Sequence, residues 1–120
     1  MVARQGDWIQ TFTGRKFWPI DPYPEDVCIE DIAHALSMTC RYNGHCNSFY
    51  SVAEHSILVS DGVFLATRFP NEGKMVGNLE EGLRALLHDA SEAYLADVPR
   101  PLKPFLRGYQ EMETKVNLAI

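Results

Sequence analysis

Apolar and polar positions follow two rhythms along this chain. Between Trp8 and Trp18 they alternate around Thr13-Gly14, and alternation centred on a glycine is typical of a short β-hairpin. The segment Pro19–Pro24 then contains three prolines, which interrupt any regular element. Beyond it, apolar residues recur every three or four positions, as on one face of a helix. The pattern therefore predicts an N-terminal hairpin followed by helices.

Four helices are predicted after the prolines. The first carries an apolar stripe at Ile29, Ile32, Ala33 and Leu36, and Ser51 is placed to cap the second. The predicted bounds are 29–38, 52–69, 78–95 and 105–120. The expected fold class is therefore all-α, a helical bundle with a short N-terminal β-hairpin, in a single domain over residues 1–120.

Composition narrows the classes of function. The chain has 120 residues, of which 46% are hydrophobic and 22% are charged, as expected of a folded globular domain. Its net charge of −5 leaves no basic footprint for a nucleic acid polymer. No apolar stretch approaches the roughly 18 residues of a membrane-spanning helix, and the N-terminus lacks the apolar core of a signal peptide. We therefore expect a cytoplasmic protein with no membrane partner.

The cysteines point to the same compartment. There are three, Cys28, Cys40 and Cys46, and no two of them form a Cys-x-x-Cys pair. An odd number with this spacing argues against a disulfide scaffold and for a reducing environment. The spacing also supplies no four-ligand zinc knuckle.

Ionisable residues cluster in the third predicted helix. His88 and Asp89 lie within the largely apolar run 84–95, Glu92 follows one turn later, and Asp97 stands just beyond the predicted helix end. Burying such groups costs several kcal/mol unless they are paired or bind a metal, and imidazole and carboxylate both ligate divalent cations. A surface pair or a hydrogen-bonded core histidine would explain the same residues, so both interpretations stay open.

His55 and Arg41 extend this ambiguity to the preceding segments. His55 shares the apolar stripe of the second predicted helix with Val52, Val59 and Val63. It is either a core histidine or a ligand that meets His88 between two helices. Arg41 follows the first predicted helix, where the helix dipole favours a cation. A guanidinium beside a metal would equally suit a phosphate group.

These residues together resemble a known family. Arg41, then Glu54-His55-Ser56, then His88-Asp89 with Glu92, look like the HD superfamily of metal-dependent phosphohydrolases. Within it the similarity is to bacterial 5′-deoxynucleotidases and phage dATP triphosphohydrolases, and it covers nearly the whole chain. The His-Asp pair alone is unspecific, but the ordered combination is much more specific. The resemblance implies that the predicted helices form an HD-domain bundle.

The resemblance also implies roles for the residues of the site. His55, His88 and Asp89 would ligate a divalent metal ion, with Mn, Co, Zn, Ni and Fe all compatible with two imidazoles and a carboxylate. Glu92 would act as general acid or base or position the attacking water, and Asp97 would support catalysis. Arg41 would hold the substrate phosphate.

The implied substrate is a nucleotide, either a deoxynucleoside monophosphate or a deoxynucleoside triphosphate. Aromatic rings stack on bases, so the candidates for contact with it are Trp18, Tyr42, His45 and Phe49. All four would equally serve as packing residues, and both interpretations stay open. Tyr42 stands where the deoxynucleotidases carry tryptophan, so sugar selectivity does not carry over with the resemblance. An HD-type hydrolase of cyclic dinucleotides or alarmones is a third, less favoured interpretation. A homo-oligomer is expected by analogy.

One element of the family pattern has no counterpart in this chain. The family supplies a fourth metal ligand from an aspartate on a later helix, whereas the last aspartate here is Asp97. We therefore expect an HD domain that lacks its C-terminal helices, as the N-terminal portion of a longer protein. The alternative function is a nucleotide-binding or interaction module with an incomplete site and no turnover.

Overall fold

The N-terminal hairpin forms as the alternating pattern predicts. The computed structural model describes residues 3–67 and 79–120. Strands β1 (Ile9–Gln10) and β2 (Lys16–Phe17) pair antiparallel, with Ile9 opposite Phe17. Gly14 takes a φ of 87° in the connection between them, a conformation that glycine adopts without steric cost. The hairpin prediction is therefore confirmed.

The rest of the described chain is mainly helical, which agrees with the predicted class at this coarse level. Three short 3₁₀ turns accompany the α-helices, at Pro24–Asp26, Arg41–Gly44 and Lys103–Phe105. The helices are α1 (Ile29–Met38), α2 (Val52–Thr67), α3 (Leu79–Leu86), α4 (Glu92–Leu95) and α5 (Tyr109–Ala119). The predicted bounds of the first helix and the predicted start of the second are confirmed. The predicted end of the second at residue 69 and the start of the third at residue 78 lie outside the described residues.

The core joins the hairpin to the helices. Phe17 of β2 is fully buried and stacks on Tyr94 of α4, with ring centroids 3.8 Å apart. Around this pair lie buried side chains from α1, α2, α5 and the segment before α4, namely Ile32, Leu36, Val52, Val116 and Ala90. The hairpin therefore closes one side of the helical layer, and α4 packs between it and α1.

The buried face of α1 differs from the predicted stripe. Ile32 and Leu36 are buried as expected, but Ile29 is 63% exposed and Ala33 is exposed as well. Asp31 is buried instead, because the hairpin connection covers it. Its carboxylate accepts hydrogen bonds from the backbone N–H of Thr13 at 2.7 Å and from the Thr13 hydroxyl at 3.0 Å.

The prediction of one continuous third helix is wrong, because the structure divides it into two helices. Helix α3 ends at Leu86, and the chain passes through a series of turns before α4 begins at Glu92. The carbonyl of Ala85 contacts the backbone N–H of His88 at 3.4 Å and the His88 ring Nδ1 at 2.5 Å. These donors take the carbonyl that the N–H of residue 89 would use in an α-helix. The His88 side chain thus competes with the backbone N–H of the next residue for a hydrogen-bond acceptor of the helix.

The fourth predicted helix also begins later than expected. Its predicted start at Phe105 falls in a 3₁₀ turn, and α5 begins only at Tyr109, after Gly108 with a φ of 81°. A left-handed residue cannot continue a helix.

Within the described ranges, no helix is both long enough and apolar enough to cross a bilayer.

Candidate metal centre

Three potential metal ligands converge between α2 and the turn that follows α3. Asp89 Oδ2 lies 2.9 Å from His88 Nε2 and 3.4 Å from His55 Nε2. One ligand atom from each of the three residues can be chosen so that all lie within 4.8 Å of one another. Metal–ligand distances of about 2.0–2.2 Å hold adjacent ligand atoms roughly 3 Å apart. Among the described residues, no fourth His, Cys, Asp or Glu joins this group.

The hydrogen bonding of His88 makes the arrangement fit a cation. The contact between Nδ1 and the carbonyl of Ala85 requires Nδ1 to carry a proton. In a neutral ring the Nε2 lone pair then faces the carboxylate oxygen of Asp89 at 2.9 Å, and two acceptors at that distance repel each other. A shared cation, either a proton or a metal ion, removes the repulsion. A backbone carbonyl that orients the remote ring nitrogen is also the usual support of a metal-bound histidine.

The start of α2 positions His55. The Ser51 hydroxyl accepts a hydrogen bond from the N–H of Glu54 at 3.0 Å, which caps the helix one turn before the histidine. Burial and the positive charge of Arg41 lower the pKa of His55 against the opposing effect of Asp89. A lowered pKa keeps the imidazole neutral at neutral pH, which is the form that binds a metal.

Arg41 brings a positive charge to the edge of the group. Its Nη1 lies 3.8 Å from Asp89 Oδ2, and its backbone N–H donates to the carbonyl of Tyr50 at 2.8 Å. Its Nε is buried, and no acceptor in the described part of the chain lies within hydrogen-bond distance of it. A half-buried guanidinium with an unused donor is suited to an anion that enters from solvent.

Glu92 is a buried acid with one unsatisfied oxygen among the described residues. Its side chain is 6% exposed, and Oε2 makes no hydrogen bond with any described residue. Burial, together with the negative charges of Asp89 and Asp97, raises the pKa of Glu92 to about 8. The carboxyl is therefore protonated at neutral pH in the metal-free protein, and a nearby dication would lower this pKa.

An open cleft of about 830 Å³ contains the candidate site. Besides the ligands, Arg41 and Glu92, it is lined by the predicted residues Tyr42, His45 and Asp97. Asp97 is held there by a turn at Ala96, whose backbone has φ 86° and ψ 160° and whose carbonyl accepts a hydrogen bond from the Tyr109 hydroxyl at 3.3 Å. Asp97 lines the cleft without joining the three ligand atoms.

Trp18 is not among the residues that line this cleft, and its contact with the substrate stays a prediction. Its ring lies under the guanidinium of Arg4, 4.2 Å from the ring centroid, on the side of the molecule where Arg4 also contacts Tyr23. Arg4 forms an ion pair with Asp26 at 2.8 Å. This cluster ties the N-terminal segment to the residues after the hairpin.

Two positively charged residues of the cleft are not among the candidates predicted from the sequence. Arg100 and Lys103 line the cleft as well, and both lie in the proline-rich connection after Asp97. The prolines identify this stretch as a connection, but nothing in their pattern says which way its side chains point. The only available signal is the proximity of two basic residues to Asp97 in a chain of net charge −5.

Comparisons with known proteins place the chain among uncharacterized relatives. No family model matches it. It is 41% identical over 113 residues to the uncharacterized protein YfdR of Escherichia coli (strain K12), a match that covers 94% of this chain and 56% of the relative. It is 39% identical over 116 residues, with the same coverage, to the uncharacterized protein RCAP_rcc00048 of Rhodobacter capsulatus. The chain thus spans little more than half the length of these curated relatives.

Proposed function

We propose that this protein is a metal-dependent phosphohydrolase of the HD type that acts on nucleotides, with a deoxynucleoside mono- or triphosphate as substrate. The observation that carries the proposal is that ligand atoms of His55, His88 and Asp89 lie within 4.8 Å of one another in a cleft that Arg41 also lines. Two imidazoles and one carboxylate form a ligand set suited to Mn, Co, Zn, Ni or Fe.

The three ligands would supply the part of the chemistry that side chains alone cannot. A divalent cation held by them would lower the pKa of water from 15.7 towards about 7 and polarise a phosphoryl oxygen. Three protein ligands leave open coordination positions, as catalytic sites require. His88 lines the cleft and its side chain is 37% exposed, so water and substrate have access to this position.

The cations of the cleft would orient the phosphate. Arg41, 3.8 Å from Asp89, can offer a bidentate pair of donors to the phosphoryl group nearest the ligands. Arg100 and Lys103, which also line the cleft, can neutralise further phosphates. Such fixed charges stabilise the transition state because they need no reorganisation during the reaction.

Glu92 would transfer the proton that the hydrolysis requires. With a pKa of about 8 in the metal-free protein, it holds a proton that it can give to the departing ester oxygen. A dication in the site lowers that pKa, which would allow Glu92 to take up a proton from water instead. Either role uses the same buried carboxyl, and Asp97 raises its proton affinity from the same cleft.

Product analysis tests the proposal directly. The protein, loaded with Mn or with Co, is incubated with each deoxynucleoside mono- and triphosphate, and products are separated by ion-exchange chromatography. Asp89→Ala removes a ligand, and Asp61→Ala removes an exposed carboxylate of α2 as the matched control. We expect inorganic phosphate or triphosphate from the unaltered protein and from Asp61→Ala, and neither from Asp89→Ala.

The alternative is a nucleotide-binding or interaction module without turnover. It is favoured by the count of three ligands in the described residues, which predicts weak metal binding. Nucleotide binding with no product from any substrate would establish this alternative and overturn the hydrolase. The same assay on the longer relative YfdR would then report whether additional chain is needed for activity. A cytoplasmic homo-oligomer that acts on small molecules is part of the same proposal.

A further inference from the structure

Two cysteines flank the segment that holds Arg41. Cys40 and Cys46 are both half-buried, and their Sγ atoms lie 3.5 Å apart, within hydrogen-bond distance for sulfur. A disulfide requires about 2.05 Å, so closure would bring the two atoms together by only about 1.5 Å. Cys28 also carries a free thiol, and it provides an internal comparison.

The backbone between the two thiols already follows a closed path. Tyr42 and Asn43 have φ values of 57° and 53°, and Gly44 has a φ of 83°. Consecutive left-handed residues reverse the chain within a few positions, and for an aromatic residue such a φ is uncommon. Cys40 is also bridged to Ser51 on the other side of the segment. Because the fold already holds the two thiols close together, forming the disulfide requires little further loss of chain entropy.

The same segment forms part of the cleft. Arg41, Tyr42, Asn43 and His45 all line it, and Cys46 Sγ contacts the carbonyl oxygen of Arg41 at 3.8 Å. A displacement of Cys46 towards Cys40 therefore moves the residues that would meet the substrate. Covalent closure would also restrict the motion of a backbone that is otherwise held at its two ends.

We propose that Cys40 and Cys46 form a reversible disulfide that locks the 41–45 segment of the cleft. With hydrogen peroxide as oxidant, one thiol loses its proton and the resulting thiolate attacks the peroxide. The O–O bond breaks to give a sulfenic acid and hydroxide, and the hydroxide takes up the released proton to become water. The second thiolate attacks that sulfur and forms the S–S bond, and the departing hydroxide takes a proton to become a second water. Two thiols are oxidised, one peroxide is reduced, and a dithiol reductant restores both thiols by exchange.

The resting state of the pair is the dithiol. The hydrogen bond with Cys40, reinforced by burial, raises the pKa of Cys46 above its usual value. Cys46 is therefore a protonated thiol at neutral pH, and it must lose its proton before it reacts as a thiolate. Disulfides of reducing compartments are mostly transient and redox-sensing, which agrees with the compartment expected for an odd set of cysteines.

Mass spectrometry of the peroxide-treated chain tests the bond. We expect a loss of about 2 Da for one disulfide, a single remaining reactive thiol at Cys28, and a Cys40–Cys46 linked peptide that disappears on treatment with dithiothreitol. Cys28→Ser should retain the linkage, while Cys40→Ser and Cys46→Ser should both lose it. A linkage through Cys28, a disulfide between two chains, or sulfinic acid at Cys46 without linkage would overturn the proposal.

Amide hydrogen exchange tests the lock and needs no catalytic activity. Exchange in residues 41–45 should slow by roughly tenfold on oxidation, because local opening governs exchange, while α1 exchanges unchanged. Cys28→Ser should show the same slowing, and Cys46→Ser none. Equal exchange in the oxidised and reduced protein would overturn the lock even if the bond forms. Neither readout depends on hydrolysis, so failure of the proposed function is recognised separately.

Discussion

Asp31 and Glu92 are both nearly inaccessible to solvent, at 2% and 6% exposed, yet their surroundings are opposite in kind. Burial alone would raise the pKa of Asp31, but hydrogen bonds from Thr13 and Thr11 outweigh it and hold the pKa below its usual value. Glu92 has burial and two neighbouring carboxylates, which together raise its pKa to about 8. One acid is satisfied by the fold and the other is not.

The difference separates structural from functional burial. A buried carboxylate that accepts hydrogen bonds stabilises the fold and joins the hairpin to α1. A buried carboxyl with a free oxygen destabilises the fold, and proteins retain such groups mainly where chemistry needs them. The cleft around Glu92 has this character throughout, since Arg41 Nε also lacks an acceptor among the described residues.

The largest expected effect comes from removing Asp89, which lies beside Glu92 in the cleft. Asp89→Ala should lower hydrolysis by roughly 10³-fold or more, since a cation contributes several kcal/mol to transition-state stabilisation. It should also abolish thermal stabilisation by Mn, which amounts to about 2.7 kcal/mol when the metal exceeds its Kd 100-fold. Melting curves with and without Mn measure this. Equal Mn stabilisation of the variant would contradict the ligand assignment.

The next effect is at Glu92 itself. Glu92→Gln keeps the shape but removes the titrating proton, so turnover should fall by about 10²-fold while Mn still raises the melting temperature. At pH 8 without metal the variant should be at least as stable as the parent, because it buries an amide in place of a carboxyl near its pKa. Lost metal binding would instead make Glu92 a ligand.

Asp31→Ala should act on stability alone. It leaves the backbone N–H of Thr13 without its acceptor, and hydrogen bonds to charged groups contribute roughly 1.5–3 kcal/mol. Urea titration should therefore give a loss of about 2 kcal/mol, against less than about 0.5 kcal/mol for Asp61→Ala at an exposed position. Metal binding and turnover should remain. A loss of turnover in the folded variant would place Asp31 in the functional machinery.

Measured per pH unit, the smallest effects are the pH slopes of stability, which should have opposite signs. Glu92 keeps its proton in the folded state while the unfolded chain loses it, so its contribution to stability falls as pH rises from about 4.5 to about 8. Asp31 stays ionised when folded, so its contribution is lost as pH falls below its ordinary value of 3.8. Each slope is bounded by one proton, about 1.4 kcal/mol per pH unit.

Urea titrations across this range, in a chelator, measure both slopes. Glu92→Gln should flatten the slope between pH 5 and 8 without changing the acid limb, and Asp31→Ala should do the reverse. An unchanged slope between pH 5 and 8 in Glu92→Gln would show that Glu92 is ionised in the folded state, because His55, with its lowered pKa, adds a slope of the opposite sign to both proteins.

Local patterns predicted much of the fold. The bounds of α1, the start of α2 and the hairpin follow from apolar spacing, and the break near Pro19–Pro24 follows from proline geometry. The buried face of α1 could not be predicted from apolar spacing, because Asp31 is buried by a tertiary contact with the hairpin. Short-range periodicity contains no information on which distant segment covers a helix.

The candidate site could be predicted in its residues but not in its geometry. His55, His88 and Asp89 do come together, yet not on the continuous helix that apolar spacing predicts through Leu95. Adjacent residues of a regular helix point about 100° apart, and here His88 and Asp89 lie in the turns that follow α3 rather than on a regular helix. The bond from the His88 ring to Ala85 lies at this break, and it has no signature in an apolar pattern.

Ala96 has a consequence for how this chain can vary. Its backbone, at φ 86° and ψ 160°, lies in a region that only glycine occupies without strain, and such strain is of order 1–3 kcal/mol. A saturation library selected for folding should therefore enrich glycine above alanine and eliminate β-branched residues. The same library selected for turnover should rank them differently, because a glycine loosens the turn that holds Asp97 in the cleft. Alanine at this position trades folding stability for the placement of one carboxylate.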